Sequence, residues 1–180
     1  VVDDPTSILK CTNKVFLSDL FKRTGVPTPQ TVLFSNVSME IEKVVESIGF
    51  PMILKIPDGA FSQGVFKVNR IDELKLKCDE LFKRTHLLIA QEYLYTDYDW
   101  RIGVFGNKAI YACRYYMARG HWQIYNHAGN TTKSGGFETM SVQSAPQSVI
   151  KTALNACAGI GDGLYGVDLK QVGDRLAVIE

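Results

Sequence analysis

The run from Gly49 to Val68 constrains the chain more than any other stretch. Met52 to Lys55 is a short apolar segment led in by Pro51, which predicts a buried strand rather than a helix. It ends in a lysine and passes into a polar loop, Asp58 to Gly64, before Val65 to Val68 resumes strand composition. The loop therefore reads as the tip of a hairpin. Gly59 and Gly64 allow backbone angles that gather main-chain N–H groups, and Ser62 and Gln63 add side-chain donors. Such a tip can close over phosphates while Lys55 supplies a point charge from the neighbouring strand. Taken alone, an ordinary solvated hairpin is the commoner arrangement. The loop also departs from G-x-x-x-x-G-K-[ST], because no Lys-Ser or Lys-Thr follows Gly64.

Around this hairpin the chain alternates helices and strands. Val1 to Leu9 reads as a polar lead-in, and Thr12 as the cap of a helix from Asn13 to Thr24 closed by Gly25. Lys14 falls in its first turn, where the helix dipole disfavours a cation; an anionic partner or simple exposure accounts for it. A strand follows at Thr31 to Phe34, then a helix from Met39 to Ile48 capped by Ser38, and after the hairpin a third from Ile71 to Lys83. Leu87 to Ala90 is a buried strand entering Gln91-Glu92-Tyr93-Leu94. Asp99 to Phe105 and Lys108 to Met117 are strands joined at Gly106-Asn107, with Trp122 to Tyr125 a candidate third. His127 to Gly136 reads as a mobile loop, Phe137 to Val142 as strand, and Pro146 opens a helix to about Ile160. A final hairpin, Tyr165 to Leu169 and Leu176 to Glu180, turns at Gly173-Asp174. The outline is two α+β lobes, 1–94 and 95–180, hinged near residues 91–97.

Composition removes several functions. Twenty basic against nineteen acidic residues give +1, so no charge excess drives nucleic-acid or membrane binding, although a locally basic pocket is compatible with it. No apolar run reaches transmembrane length, and no signal peptide is visible. Cys11, Cys78, Cys113 and Cys157 are too far apart for Cys-x-x-Cys metal spacing or a disulfide framework, which favours a reducing, cytoplasmic setting. His86, His121 and His127 have no zinc spacing. Trp122, Tyr115, Tyr116 and Tyr125 read as packing residues. The start at Val1 and the stop at Glu180, inside an apolar run, predict a fragment of a longer protein.

The order of these features resembles the ATP-grasp superfamily, and within it the RimK-type glutamate ligases. The segments that carry the resemblance are Pro51–Lys55, Asp58–Val65, Gln91–Leu94, Asp99-Trp100-Arg101, Gly166-Val167-Asp168-Leu169 and Leu176–Glu180, spread over nearly the whole chain. The resemblance implies an α+β fold of two lobes with antiparallel sheets and ATP between them. Lys14 and Lys55 would contact its phosphates, and Ser62, Gln63 and Gly64 would cover them. Gln91, Glu92, Tyr93 and Leu94 would form the adenine hinge, chiefly through backbone groups. Asp99 would accept the ribose hydroxyls, with Asp97 as the alternative register. Arg114, ahead of Arg101, would clamp the γ-phosphate. Asp168 and Glu180 would hold Mg²⁺; the family's next ligand, an Asn two positions on, falls beyond Glu180.

Asn126, His127 and Gly129 fall where relatives position substrate, but the basic and paired-glycine features there are displaced. The activity implied is ATP-dependent amide-bond formation between a carboxylate and an amine, on an amino acid, peptide or protein, through an acyl phosphate. The alternatives are an ATP-binding module without ligation and a small-molecule kinase. Neither nucleic acid nor membrane is an expected partner, and homo-oligomerisation is left open.

Overall fold

The structure, a computed structural model, describes residues 3–37, 40–58, 64–126 and 131–180. Its first helix, α1 (Pro5–Thr12), replaces the expected lead-in. Asp4 accepts the backbone N–H of Ser7 and Pro5 takes the first helical position, so a capping carboxylate and a preset φ start a helix in a polar segment. Helix α2 (Lys14–Thr24) follows after a one-residue break. Its cap is Asn13, whose side chain accepts from Val15 and Phe16, and not Thr12, which belongs to α1. Gly25 in the left-handed region ends it.

Strand β1 (Thr31–Ser35) leads to α3 (Ile41–Ile48). The expected cap Ser38, and Met39, lie outside the described residues; Glu40 precedes α3 without a side-chain cap bond. Strands β2 (Met52–Lys55) and β3 (Val65–Val68) form the expected antiparallel hairpin, with Lys55 opposite Val65. Gly64 sits at φ 74°, and a Cβ there would fall 2.5 Å from the Ile56 side chain, so backbone and space both require glycine. Helix α4 (Ile71–Leu81) and strand β4 (Leu87–Glu92) complete a four-stranded antiparallel sheet in the order β1-β4-β2-β3. Period-2 alternation divides its faces. Met52, Leu54, Leu88 and Ala90 pack with Ile41, Val44, Leu74 and Cys78 of α3 and α4, while Ile53, Lys55 and Gln91 face a cavity.

The second sheet contains β5 (Tyr98–Phe105), β6 (Lys108–Tyr116), β9 (Phe137–Met140), β10 (Leu164–Val172) and β11 (Arg175–Val178), in the order β11-β10-β5-β6-β9. Between β6 and β9 the chain makes a two-residue pair, β7 (Tyr125–Asn126) with β8 (Lys133–Ser134). The candidate strand at 122–125 is thus confined to its last residue and the one after it. A 3₁₀ turn at Val142–Ser144 ends the stretch expected as strand, and α5 (Gln147–Ala158) covers the sheet. Trp100, Ile102, Val104, Val167 and Leu169 pack under Val149, Ala153 and Cys157.

Helix α2 joins this second core through Leu17 and Phe21, with Val26 just beyond it. Although early in the chain, it rests on the later sheet, and the packing boundary differs from a simple division at residue 94. No helix among the described residues is long and apolar enough to cross a membrane.

Candidate active site

The inner faces of the two sheets, with α2 and the segment 122–125, line a cavity of about 640 Å³, within the range of small-molecule and cofactor sites. Strand parity decides which side chains reach it. On β5 and β10, Trp100, Val167 and Leu169 point into the core, so Asp99, Arg101, Asp168 and Lys170 point the other way.

Arg101 lies directly opposite Asp168 in the β5–β10 register. It donates Nε to Oδ1 at 2.6 Å and Nη2 to Oδ2 at 2.5 Å, a bidentate fork. Burial in the cleft pushes the Asp168 carboxyl up from its ordinary value while the guanidinium pulls it back; the hydrogen bonds to Asp168 hold Arg101 upward. Lys170 donates to Oδ1 of Asp99 at 2.5 Å and to Thr96 Oγ1 at 2.8 Å, and Thr96 also donates to that Oδ1 at 3.0 Å. The second oxygen of Asp99 has no protein bond among the described residues. Lys14 Nζ meets Glu180 Oε1 at 2.8 Å, and the backbone N–H of Lys14 reaches the carbonyl of Pro57 at 3.4 Å, joining α2 to the end of the β2 segment.

Lys55 differs from these paired groups. It is 8% exposed, and its ammonium donates to the neutral amide oxygen of Gln91 at 2.7 Å. Gln91 is oriented by donating Nε2 to Thr31 Oγ1 at 3.0 Å. No carboxylate among the described residues lies within ion-pair distance of Lys55. Desolvation therefore dominates and pushes the amine down from 10.5 to about 8, with the nearby Glu180 acting in the opposite direction.

Of the residues expected from sequence, Lys14, Lys55, Gln91, Glu92, Tyr93, Leu94, Asp99, Arg101, Asp168 and Glu180 all line the cavity. Ser62 and Gln63, like His127 and Gly129, lie outside the described residues; Gly64 is described and is not part of the lining. Asp99 lines it and Asp97 does not. Asp97 instead accepts from the Tyr95 hydroxyl at 2.8 Å. The carboxylate of Glu92 is taken by a bidentate pair with Arg175 at 2.7 and 2.6 Å.

Of the two arginines expected as phosphate clamps, Arg101 lines the cavity and Arg114, the one placed first, does not. Arg114 stands opposite Trp100 in the β5–β6 register and so shares its face, away from the cavity. Its guanidinium lies 4.9 Å from the Tyr98 ring centroid and 4.8 Å from that of Trp100, a packing role. Among the lining residues outside the expected set are Lys170 and Trp122. Lys170 was identifiable from its i+2 spacing to Asp168 on one strand. Trp122 carried no local signal separating it from packing aromatics.

The sequence profile of the RimK-like ATP-grasp domain matches residues 11–180. The alpha-aminoadipate–LysW ligase LysX of Saccharolobus solfataricus is 30% identical over 74 residues, 41% of this chain and 26% of that protein. A probable alpha-L-glutamate ligase of Shewanella loihica is 24% identical over 184 residues, covering 99% of this chain and 58% of that protein. Among solved structures, a D-alanine–D-alanine ligase from Bacillus anthracis superposes with a TM-score of 0.78 at 17% identity, over 97% of this chain and 57% of that one. The same enzyme complexed with ATP gives 0.74 over 96% and 56%, also at 17% identity. The chain thus spans 58% at most of these relatives. The profile match covers almost every residue and the fold is that of solved ATP-grasp ligases: this chain belongs to the RimK-like ATP-grasp family.

Proposed function

We propose that the cleft binds ATP and that the protein of which it forms the nucleotide-binding part joins a carboxylate to an amine, with an amino acid as one substrate. The observation that carries this reading is Lys55. A desolvated ammonium whose partner is a neutral amide gains most from an incoming anion, and a polyphosphate is the anion that a cavity of this size and lining accommodates. Backbone groups of Gln91 to Leu94 would read the base. The free oxygen of Asp99, held in place by Lys170 and Thr96, would accept a ribose hydroxyl. The lobes would hinge near residues 91–97.

Mg²⁺ fits the donors present. Asp168 and Glu180 are hard oxygen ligands lining the same cavity, tied by an Asp168 N–H to Glu180 carbonyl bond of 2.8 Å. Among the described residues, no group of three or more His, Cys, Asp or Glu side chains is placed to hold a metal unaided, which suits an ion completed by phosphate and water. When bound it would neutralise phosphate charge. Arg101 and Lys14, the present partners of the two carboxylates, would turn to phosphate oxygens. The relatives named as ligases of alpha-aminoadipate to LysW and of glutamate support an amino-acid substrate.

In the chemistry proposed, a substrate carboxylate oxygen attacks the γ-phosphorus and the bond to the β-bridging oxygen breaks, releasing ADP. The amine then attacks the acyl carbon, and phosphate leaves with the former carboxylate oxygen. Both nucleophiles in this scheme, the carboxylate and the amine, belong to the substrates. Lys55, Arg101 and Lys14 position the triphosphate and offset its charge, and the cleft excludes water. Four free cysteines suit a reducing cytoplasm. A panel of amino acids offered to the full-length protein with Mg-ATP, scored by phosphate release and product mass, tests the reading. An amide product dependent on one acid and one amine is expected. Phosphorylated product without amide, or no amino-acid dependence, would overturn it.

A further inference from the structure

We propose that Trp122 forms the outer wall of the nucleobase site, so that the second sheet's connecting segment, and not the hinge alone, selects an aromatic base. The inference rests on the nucleotide reading of the cleft and adds a binding residue to it. Trp122 lines the cavity beside Tyr93 and Leu94. Its ring meets that of Tyr93 edge to face, with centroids 6.2 Å apart at 80°. The other side of this assembly is held by Lys67 of β3, whose Nζ lies 3.9 Å from the Tyr93 centroid. A residue from the hairpin, one from the hinge and one from the segment that follows β6 therefore meet around the Tyr93 ring. Lys55, Arg101 and Asp168 carry the charge elsewhere in it.

The turn bearing Trp122 is built to hold it. Ala118 donates its N–H to the Gln123 carbonyl at 2.9 Å, and His121 donates to the Ala118 carbonyl at 2.8 Å. Gly120 takes φ 69° between them. The turn is moored to the hinge by the Met117 N–H to Asp97 carbonyl bond at 2.9 Å. The indole is half-buried on this closed turn, lines the cavity, and is steadied by the His121 ring, 5.8 Å away at 43°, as well as by Tyr93; such a ring is a stacking platform prepared in advance. No acceptor for its N–H is present among the described residues. A planar base between this ring and the aliphatic floor of Ile53 and Leu94 would use both its face and that donor. Packing alone would bury the indole among core side chains, as it does Trp100, which is 1% exposed.

The test separates base from phosphate. The wild-type chain, Trp122→Phe and Trp122→Ala are titrated with Mg-ATP and with inorganic tripolyphosphate, following affinity by calorimetry and tryptophan fluorescence alongside melting temperature. Mg-ATP should change wild-type fluorescence, whereas tripolyphosphate should bind without changing it. Trp122→Ala should weaken ATP about tenfold to a hundredfold, the scale of one lost stacking contact, and leave tripolyphosphate unaffected. Trp122→Phe should recover part of the loss. Equal ATP affinity in Trp122→Ala, or equal weakening of both ligands, would overturn the assignment of Trp122 while leaving the nucleotide reading in place. A wild-type chain that binds tripolyphosphate but not ATP, or neither, would overturn both.

Discussion

Replacing Lys55 with methionine should stabilise the ligand-free protein while removing its response to nucleotide. The ammonium is pushed from 10.5 to about 8, first by desolvation, which corresponds to about 3 kcal/mol against the charged form at neutral pH. Methionine keeps an unbranched apolar stem in the same space. Gln91 loses its donor, at a cost of about 1 kcal/mol. The net gain is about 2 kcal/mol, or about 4–8 °C in Tm for a domain of this size.

The sign extends to pH. Because the folded-state value lies below the unfolded one, the unfolded chain binds the extra proton between about 8 and 10.5. Wild-type stability should therefore rise through that window, with the full penalty present below it. Urea denaturation of both proteins at about pH 7 and about pH 10 isolates the effect, since titrations common to both cancel in the difference. The variant should be the more stable at neutral pH; in alkali that advantage should disappear and the order reverse by up to about 1 kcal/mol, the cost of the lost Gln91 bond. Mg-ATP should raise the Tm of the wild type only. A variant less stable than wild type at neutral pH, or one with the same pH slope, would refute the argument that Lys55 is held at a cost for an anion.

Arg114→Leu should destabilise the fold by about 1 kcal/mol through the lost contacts with Tyr98 and Trp100 and leave ATP affinity unchanged. Arg101→Leu should weaken ATP, and calorimetry with thermal melts on both variants checks the contrast. Asp168→Asn should lower turnover of the full-length enzyme by orders of magnitude with a far smaller effect on ATP affinity. Rate, affinity and Tm measured together check it, and an active, equally stable variant would remove Asp168 from the site.

Much of this architecture was readable because period and parity are local. Met52 to Lys55 and Leu87 to Ala90 announce buried strands by composition, and the lysine ending the first is conspicuous within an apolar run. Asp4, Pro5 and Ser7 also held a helix start, but the polar composition around them hid it. What the chain order could not convey was which face of a strand a side chain takes after pairing. Arg101 and Arg114 look alike as basic strand residues. Only the register, with Arg114 opposite Trp100 and Arg101 opposite Asp168, sends one into packing and the other into the cleft. The same parity admits Asp99, and with it Lys170. The packing of α2 on the later sheet, through Leu17 and Phe21, depends on tertiary contacts that no window of sequence contains.

The central claim, that a carboxylate is activated by phosphorylation and then captured by an amine, predicts the route of one oxygen atom. The full-length protein would be supplied with Mg-ATP, the amine and the carboxylate substrate labelled with ¹⁸O in its carboxyl group, and the released inorganic phosphate analysed by mass spectrometry. Formation of the amide through an acyl phosphate places one carboxylate-derived ¹⁸O in each phosphate released. Phosphate free of label, with amide still formed or ATP simply hydrolysed, would contradict it.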